Sequence, residues 1–188
     1  MSAFWLSFGV IFVAELGDKS QLLALALAAR YRAWPVLLGV TAATALVHAV
    51  SVGFGSVVGV ALPTDTIAVV AGIAFFGFAA WTLRGDTLDD GAVARGATAT
   101  RSAVWATFIA FLLAELGDKT MLATIALATR EGVVGTWAGS TLGMVAADAL
   151  AIVVGRSFGA KLPERFVRIA AAVCFVAFGA LLVFEGLF

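Results

Sequence analysis

Six apolar stretches, at roughly residues 3–29, 34–61, 66–84, 103–129, 133–156 and 166–187, are separated by short breaks rich in charge, proline and glycine. Each is long enough to cross the hydrocarbon core of a bilayer, which takes about 20 residues as a helix. Hydrocarbon offers backbone amides no water, so a lipid-facing segment must satisfy its own hydrogen bonds and each stretch is expected to be helical. Composition agrees, since 62% of the 188 residues are hydrophobic and only 13% are charged. The fold class expected is therefore an all-α membrane protein, with a single transmembrane domain over residues 1–188.

The first stretch has no basic n-region and no small-residue cleavage site, and Glu15 and Asp18 interrupt it, so it reads as a retained span. Cys174 is the only cysteine, which excludes an internal disulfide and a thiolate metal cluster. A formal net charge of zero gives no basis for nucleic-acid binding.

Sliding the chain by 100 residues brings Phe8–Arg30 onto Phe108–Arg130 with 12 identities in 23 positions. The next segments align in the same frame: Gly39 with Gly139, Thr41 with Thr141, Gly55 with Gly155, Gly59 with Gly159 and Pro63 with Pro163. In the third, Phe75 and Phe78 meet Phe175 and Phe178. The chain thus divides into a first three-helix repeat at 1–84, a linker at 85–102 carrying Asp86, Asp89, Asp90, Arg95 and Arg101, and a second repeat at 103–188. Three spans per half is an odd number, so six transmembrane helices are expected as two inverted three-helix repeats. Lys and Arg favour cytoplasmic loops. Arg30, Arg32, Arg84, Arg95, Arg101, Arg156, Lys161, Arg165 and Arg168 fall on one side and Arg130 on the other, which places the linker in the cytoplasm and both termini outside.

Near the middle of the first span in each half lies one acidic motif, Glu15-Leu16-Gly17-Asp18-Lys19-Ser20 and Glu115-Leu116-Gly117-Asp118-Lys119-Thr120. A charge at the bilayer centre costs about 2.5–3.5 kcal/mol even on the lenient insertion scale, so three per copy imply a role. On a continuous helix Glu15 and Asp18 share a face and Lys19 can reach either carboxylate. Gly17 would let a second backbone approach or let the helix unwind so that carbonyls can coordinate an ion. Ser20 lies off the carboxylate stripe and contributes its hydroxyl only if the helix is broken.

Two carboxylates and one ammonium leave each copy with a net charge of minus one, so two facing copies would be neutralised by one divalent cation. Glu15, Asp18, Glu115 and Asp118 are the candidate metal ligands. Lys19, Ser20, Lys119 and Thr120 support them. The donors are oxygens, which suit Mn2+, Ca2+ and Mg2+ better than thiol-seeking ions. His48, the only histidine, and Asp148, its counterpart in the repeat, are candidates for outer ligand support or proton relay. Buried carboxylates crowded together should also take up protons, so metal and protons compete, which is the basis of antiport.

Simpler readings compete with these. Glu15 with Lys19, and Glu115 with Lys119, could be ion pairs that hold the bundle together. His48 could be a packing residue bonded to a backbone carbonyl. The pairs Gly55 with Gly59 and Gly155 with Gly159 have the spacing of close helix packing. Phe and Trp residues are expected mostly to face lipid or the interface, and Glu185 to lie at the outer surface.

The twin motifs, one in the first helix of each half, fit the pattern E-x-G-D-[KR]-[ST] at every position. The whole chain on this ground resembles the Ca2+/Mn2+:H+ antiporter family, which includes Golgi manganese and calcium exchangers and small bacterial manganese exporters. The resemblance implies six helices, inverted repeats, and exchange of a divalent metal for protons with the acidic residues as ligands. His48 and Asp148 also look like the bacterial branch. The chain lacks the long N-terminal extension and acidic central loop of eukaryotic members, so Mn2+ is expected as cargo ahead of Ca2+, with no bound cofactor, no enzymatic activity and a multi-pass bacterial inner-membrane location. The partners expected are the transported ions and the lipid bilayer, and a homo-oligomer is compatible with the sequence. The rivals are a Ca2+ or Mg2+ exchanger of the same fold, a passive channel, and an intramembrane aspartyl hydrolase built on Asp18 and Asp118.

Overall fold

A computed structural model of the chain describes residues 2–84, 102–158 and 164–188. The linker expected at 85–102 lies outside the described residues except for Ser102, as do Gly159, Lys161 and Pro163 of the second repeat. The described residues form eight helices: α1 Ser2–Glu15, α2 Lys19–Arg30, α3 Ala33–Ala61, α4 Thr64–Arg84, α5 Ala103–Glu115, α6 Lys119–Ala128, α7 Val133–Phe158 and α8 Glu164–Leu187. Four of them, α3, α4, α7 and α8, are long and apolar enough to cross a membrane.

The first and fourth apolar stretches are not the single helices expected. Each is broken at its motif, into α1 and α2 and into α5 and α6. The cause is the motif glycine: Gly17 has φ 74° and Gly117 φ 81°, a left-handed conformation open to glycine at little cost. The chain then turns tightly, with Asp18 N–H donating to the Glu15 carbonyl at 3.0 Å and Asp118 N–H to the Glu115 carbonyl at 3.2 Å. Asp18 (ψ 167°) and Asp118 (ψ 168°) are extended and sit at the N-cap positions of α2 and α6. Neither side chain caps its helix.

Small residues set the packing directions. A side chain at Gly139 or Gly143 would strike the α1 backbone at Phe4 or Phe8, and one at Gly155 would strike Leu25 of α2, so α7 runs parallel with α1 and α2. In the same way Gly39 lies against Val104 and Thr107, Gly55 against Ile125 and Gly59 against Thr129, so α3 runs parallel with α5 and α6. Helices α3 and α7 cross in opposite directions, where Thr44 Oγ1 lies 3.4 Å from Met144 Sδ and Thr141 Oγ1 lies 3.5 Å from His48 Nδ1. Each motif helix therefore rests mainly on the second helix of the other half of the chain. Gly55 and Gly59 do serve close packing, as their spacing indicates.

Helices α4 and α8 pair antiparallel, with Gly72 against the Gly179 carbonyl and Gly186 against that of Asp65. Between them Phe75 meets Phe78 and Phe178 edge to face and Phe175 at a tilt, with the rings of Phe75 and Phe178 centred 4.9 Å apart. Phe75 and Phe175 are fully buried, so the expectation that phenylalanines face lipid fails at this contact. Trp5, Trp34 and Trp105 do lie exposed.

Because a Cβ on Gly143 would come 2.6 Å from the Phe8 carbonyl oxygen, Gly143→Ala should lower stability by about 1–3 kcal/mol through overpacking. Gly9→Ala, where a Cβ meets nothing within 4 Å, should not. Thermal unfolding midpoints of the two variants in detergent check this.

Candidate metal centre

The breaks at residues 16–18 and 116–118 bring four helix ends into the interior. The C-terminal carbonyls of α1 and α5 end at Glu15 and Glu115, and the N-termini of α2 and α6 begin at Lys19 and Lys119. Carbonyl ends attract cations and amide ends attract carboxylates, so a broken helix offers both kinds of partner at membrane depth.

All four motif carboxylates are buried: Glu15 is 0% exposed, Glu115 1%, Asp18 3% and Asp118 2%. The lysines do not pair within their own motifs, contrary to the expectation for a continuous helix. Lys19 Nζ donates to Asp118 Oδ1 at 2.7 Å, and Lys119 Nζ donates to Asp18 Oδ1. The bundle-holding pairs Glu15 with Lys19 and Glu115 with Lys119 are thereby replaced by ion pairs that cross between the halves. The helix break is the reason: it turns each lysine from its own glutamate toward the other motif. The crossing is unequal, since the Lys19 side chain is 22% exposed and that of Lys119 only 3%.

The break also brings in the hydroxyls. Thr120 Oγ1 donates to Glu115 Oε2 at 2.9 Å, and Ser20 Oγ lies 3.4 Å from Asp18 Oδ2. Several carboxylate oxygens nevertheless have no hydrogen-bond donor: both of Glu15, both of Asp148, Glu115 Oε1 and Asp118 Oδ2. Asp148 is fully buried on α7, one residue beyond the Ala147 carbonyl that Gln21, just after the first motif, reaches at 2.9 Å. A buried carboxylate oxygen without a donor is costly, and a proton or a metal ion is what relieves it.

Among the described residues no three acidic, histidine or cysteine side chains stand close enough to hold one ion as they are placed. The ammonium groups occupy Asp18 Oδ1 and Asp118 Oδ1, so an ion that used those two oxygens would have to displace them.

His48, buried beside Thr141, makes no bond to a backbone carbonyl or a motif carboxylate among the described residues. The structure thus sets Asp148 near the turn of the first motif and leaves His48 at the crossing of α3 and α7. Glu185 lies exposed, in a two-pronged pair with Arg130 at 2.7 and 3.1 Å. One residue escaped the reading of the sequence. Gln21 is buried directly behind the first motif, and its being the only glutamine in the chain, set in an apolar run, was the available signal.

The model of the family described as "Divalent cation/proton antiporter GDT1" matches residues 3–90 and 103–188. A protein of Vibrio cholerae named "Putative manganese exporter" is 36% identical over 94% of this chain and 88% of its own length. "GDT1-like protein 2, chloroplastic" of rice is 34% identical over 100% of the chain and 62% of its own length, and "Protein PAM71, chloroplastic" of Arabidopsis thaliana is 32% identical over 98% and 57%. The chain therefore spans about three fifths of these longer plant relatives. No solved structure shows significant similarity to it. With both motif-bearing halves matched, the chain belongs to the GDT1 family of divalent cation/proton antiporters.

Proposed function

We propose that the chain exports Mn2+ in exchange for protons across a bacterial inner membrane, using one centre assembled from its two motifs. In this reading it crosses the membrane six times as two inverted three-helix halves with both termini outside. The packing directions support the inversion. Helices α1 and α2 run with α7, α7 runs against α3, and α3 runs with α5 and α6, so the two broken helices oppose each other. The orientation rests on the nine basic residues that share one side.

The observation that carries the reading is the set of buried carboxylate oxygens without donors at the broken helices, where two lysines bond across the halves. Glu15, Asp18, Glu115 and Asp118 are the proposed ligands, assisted by Ser20 and Thr120. Asp148 gives the centre a fifth carboxylate. With all five ionised against Lys19 and Lys119, the excess is three negative charges. A divalent cation balances two and a proton on one carboxylate the third. Loading protons neutralises the carboxylates and releases the metal, and loading the metal expels protons, so the two cargoes exclude each other. The choice of Mn2+ rests on the oxygen donor set, which suits hard divalent ions, and on the name of the Vibrio cholerae relative.

In sealed vesicles carrying the purified protein, an imposed pH gradient should drive Mn2+ uphill. The Glu115→Gln and Asp118→Asn variants should lose that transport by about 10–100-fold or more. Transport by both variants at the parental rate would remove these residues as ligands. Faster movement of Ca2+ than of Mn2+ would reassign the cargo, and movement only down its gradient would make the protein a channel.

The lysines yield a second expectation. Removing one member of a buried ion pair costs about 3–5 kcal/mol because the other is left uncompensated. Lys119→Met should therefore lower the thermal midpoint in detergent more than Lys19→Met, whose lysine is partly exposed. Added Mn2+ should stabilise Lys119→Met more than the parent, because in the variant the ion needs no ammonium to withdraw. Equal shifts in both proteins would separate the lysine from the metal centre.

A further inference from the structure

The two halves secure their motif turns differently. In the first, Gln21 Oε1 accepts the Gly17 N–H at 2.8 Å, while Gln21 Nε2 donates at 2.9 Å to the carbonyl of Ala147, the residue before Asp148. Its orientation is fixed by those partners, one a donor and the other an acceptor. One buried side chain thus ties the turn of the first motif to the helix that carries Asp148.

At the equivalent place in the second half stands Met121. Its thioether receives the Gly117 N–H at 3.2 Å, which closes the turn, but sulfur has no proton to donate onward. The carbonyl that would receive such a bond, that of Val47, is taken by the hydroxyl of its own helix neighbour Ser51 at 2.8 Å. On the first side the residue equivalent to Ser51 is Ala151, so the Ala147 carbonyl has no such hydroxyl and is open to Gln21. Two positions therefore differ together: Gln21 with Ala151 makes a tether, and Met121 with Ser51 does not. The untethered turn is also the more open one, with Leu116 54% exposed and no atom within 4 Å of where a side chain on Gly117 would stand.

We propose that Gln21 is a positioning residue that makes the first motif and the Asp148 helix one rigid body. Glu15, Asp18 and Asp148 then meet the cation as a preformed group, and the turn of the second motif is the part that rearranges during exchange. The proposal rests on the assignment of these acidic residues to the transported cation. Ligands held by a fixed outer partner bind more tightly than ligands that must be ordered on binding.

The test is the dependence of Mn2+ transport rate on Mn2+ concentration in vesicles, for the parent, Gln21→Met, Gln21→Glu and the double variant Met121→Gln/Ser51→Ala. Gln21→Met keeps a thioether cap on the turn and lacks the donor to Ala147; Gln21→Glu keeps an oxygen cap and lacks that donor while ionised, so it is measured at alkaline pH. Both should raise KM for Mn2+ about tenfold while holding the maximal rate within about twofold of the parent. The double variant rebuilds the tether on the other side and should lower the maximal rate with KM unchanged. Parental KM in both Gln21 variants overturns the proposal, because the cap alone would then suffice. A lower KM in Gln21→Glu overturns it by making residue 21 itself a ligand. A fall in maximal rate and melting temperature at constant KM reduces Gln21 to a structural role. Failure of the parent to move any divalent cation would sink the underlying assignment, an outcome distinct from all of these.

Discussion

A charge buried away from water must be answered by a protein group, a proton or an ion. That constraint shapes the motif region. Each lysine stands beside one aspartate in sequence and bonds to the other in space, 99 and 101 residues away. Buried ion pairs of this kind contribute little net stability, because desolvation of both partners offsets their attraction. In the proposed centre their value is electrostatic: two ammonium groups offset part of the charge of carboxylates that a cation and a proton complete.

The helix break makes this exchange geometrically feasible. Had α1 and α2 been one helix, Glu15 would have faced Lys19 one turn along its surface, and each lysine would have been paired within its own motif. The left-handed turn at Gly17 instead places Asp18 at a helix start with its carboxylate turned away from its own amides. The repeat of the same turn at Gly117 makes the two motifs mutually dependent.

Much of this was legible in the sequence. Segment lengths, the 100-residue period and the depth of the motifs follow from composition and spacing, and they led to the acidic residues that the structure gathers in its interior. The break was harder to see, since a helical glycine costs only about 1 kcal/mol and the apolar run continues on both sides. The neighbour rule that paired Glu15 with Lys19 holds on an unbroken helix and lost its premise at Gly17. The phenylalanines of α4 and α8 misled for a different reason: lipid and protein interior are equally apolar, so hydropathy cannot say which face of a spanning helix is covered. Gln21 bonds to a residue 126 positions away, and no local pattern announces such a contact.

The interleaved packing has a consequence for how such a chain can be assembled. Helix α1 lies on α7 and α5 on α3, so the natural modules of the fold draw on both halves of the chain. Cutting the chain between α4 and α5 would yield two fragments, each with an unanswered lysine, an unanswered aspartate and a glycine-lined groove shaped for the missing broken helix. Such fragments are sticky by construction, and complementary ones have a built-in reason to find each other. The covalent join then serves to fix stoichiometry and orientation rather than to create the fit.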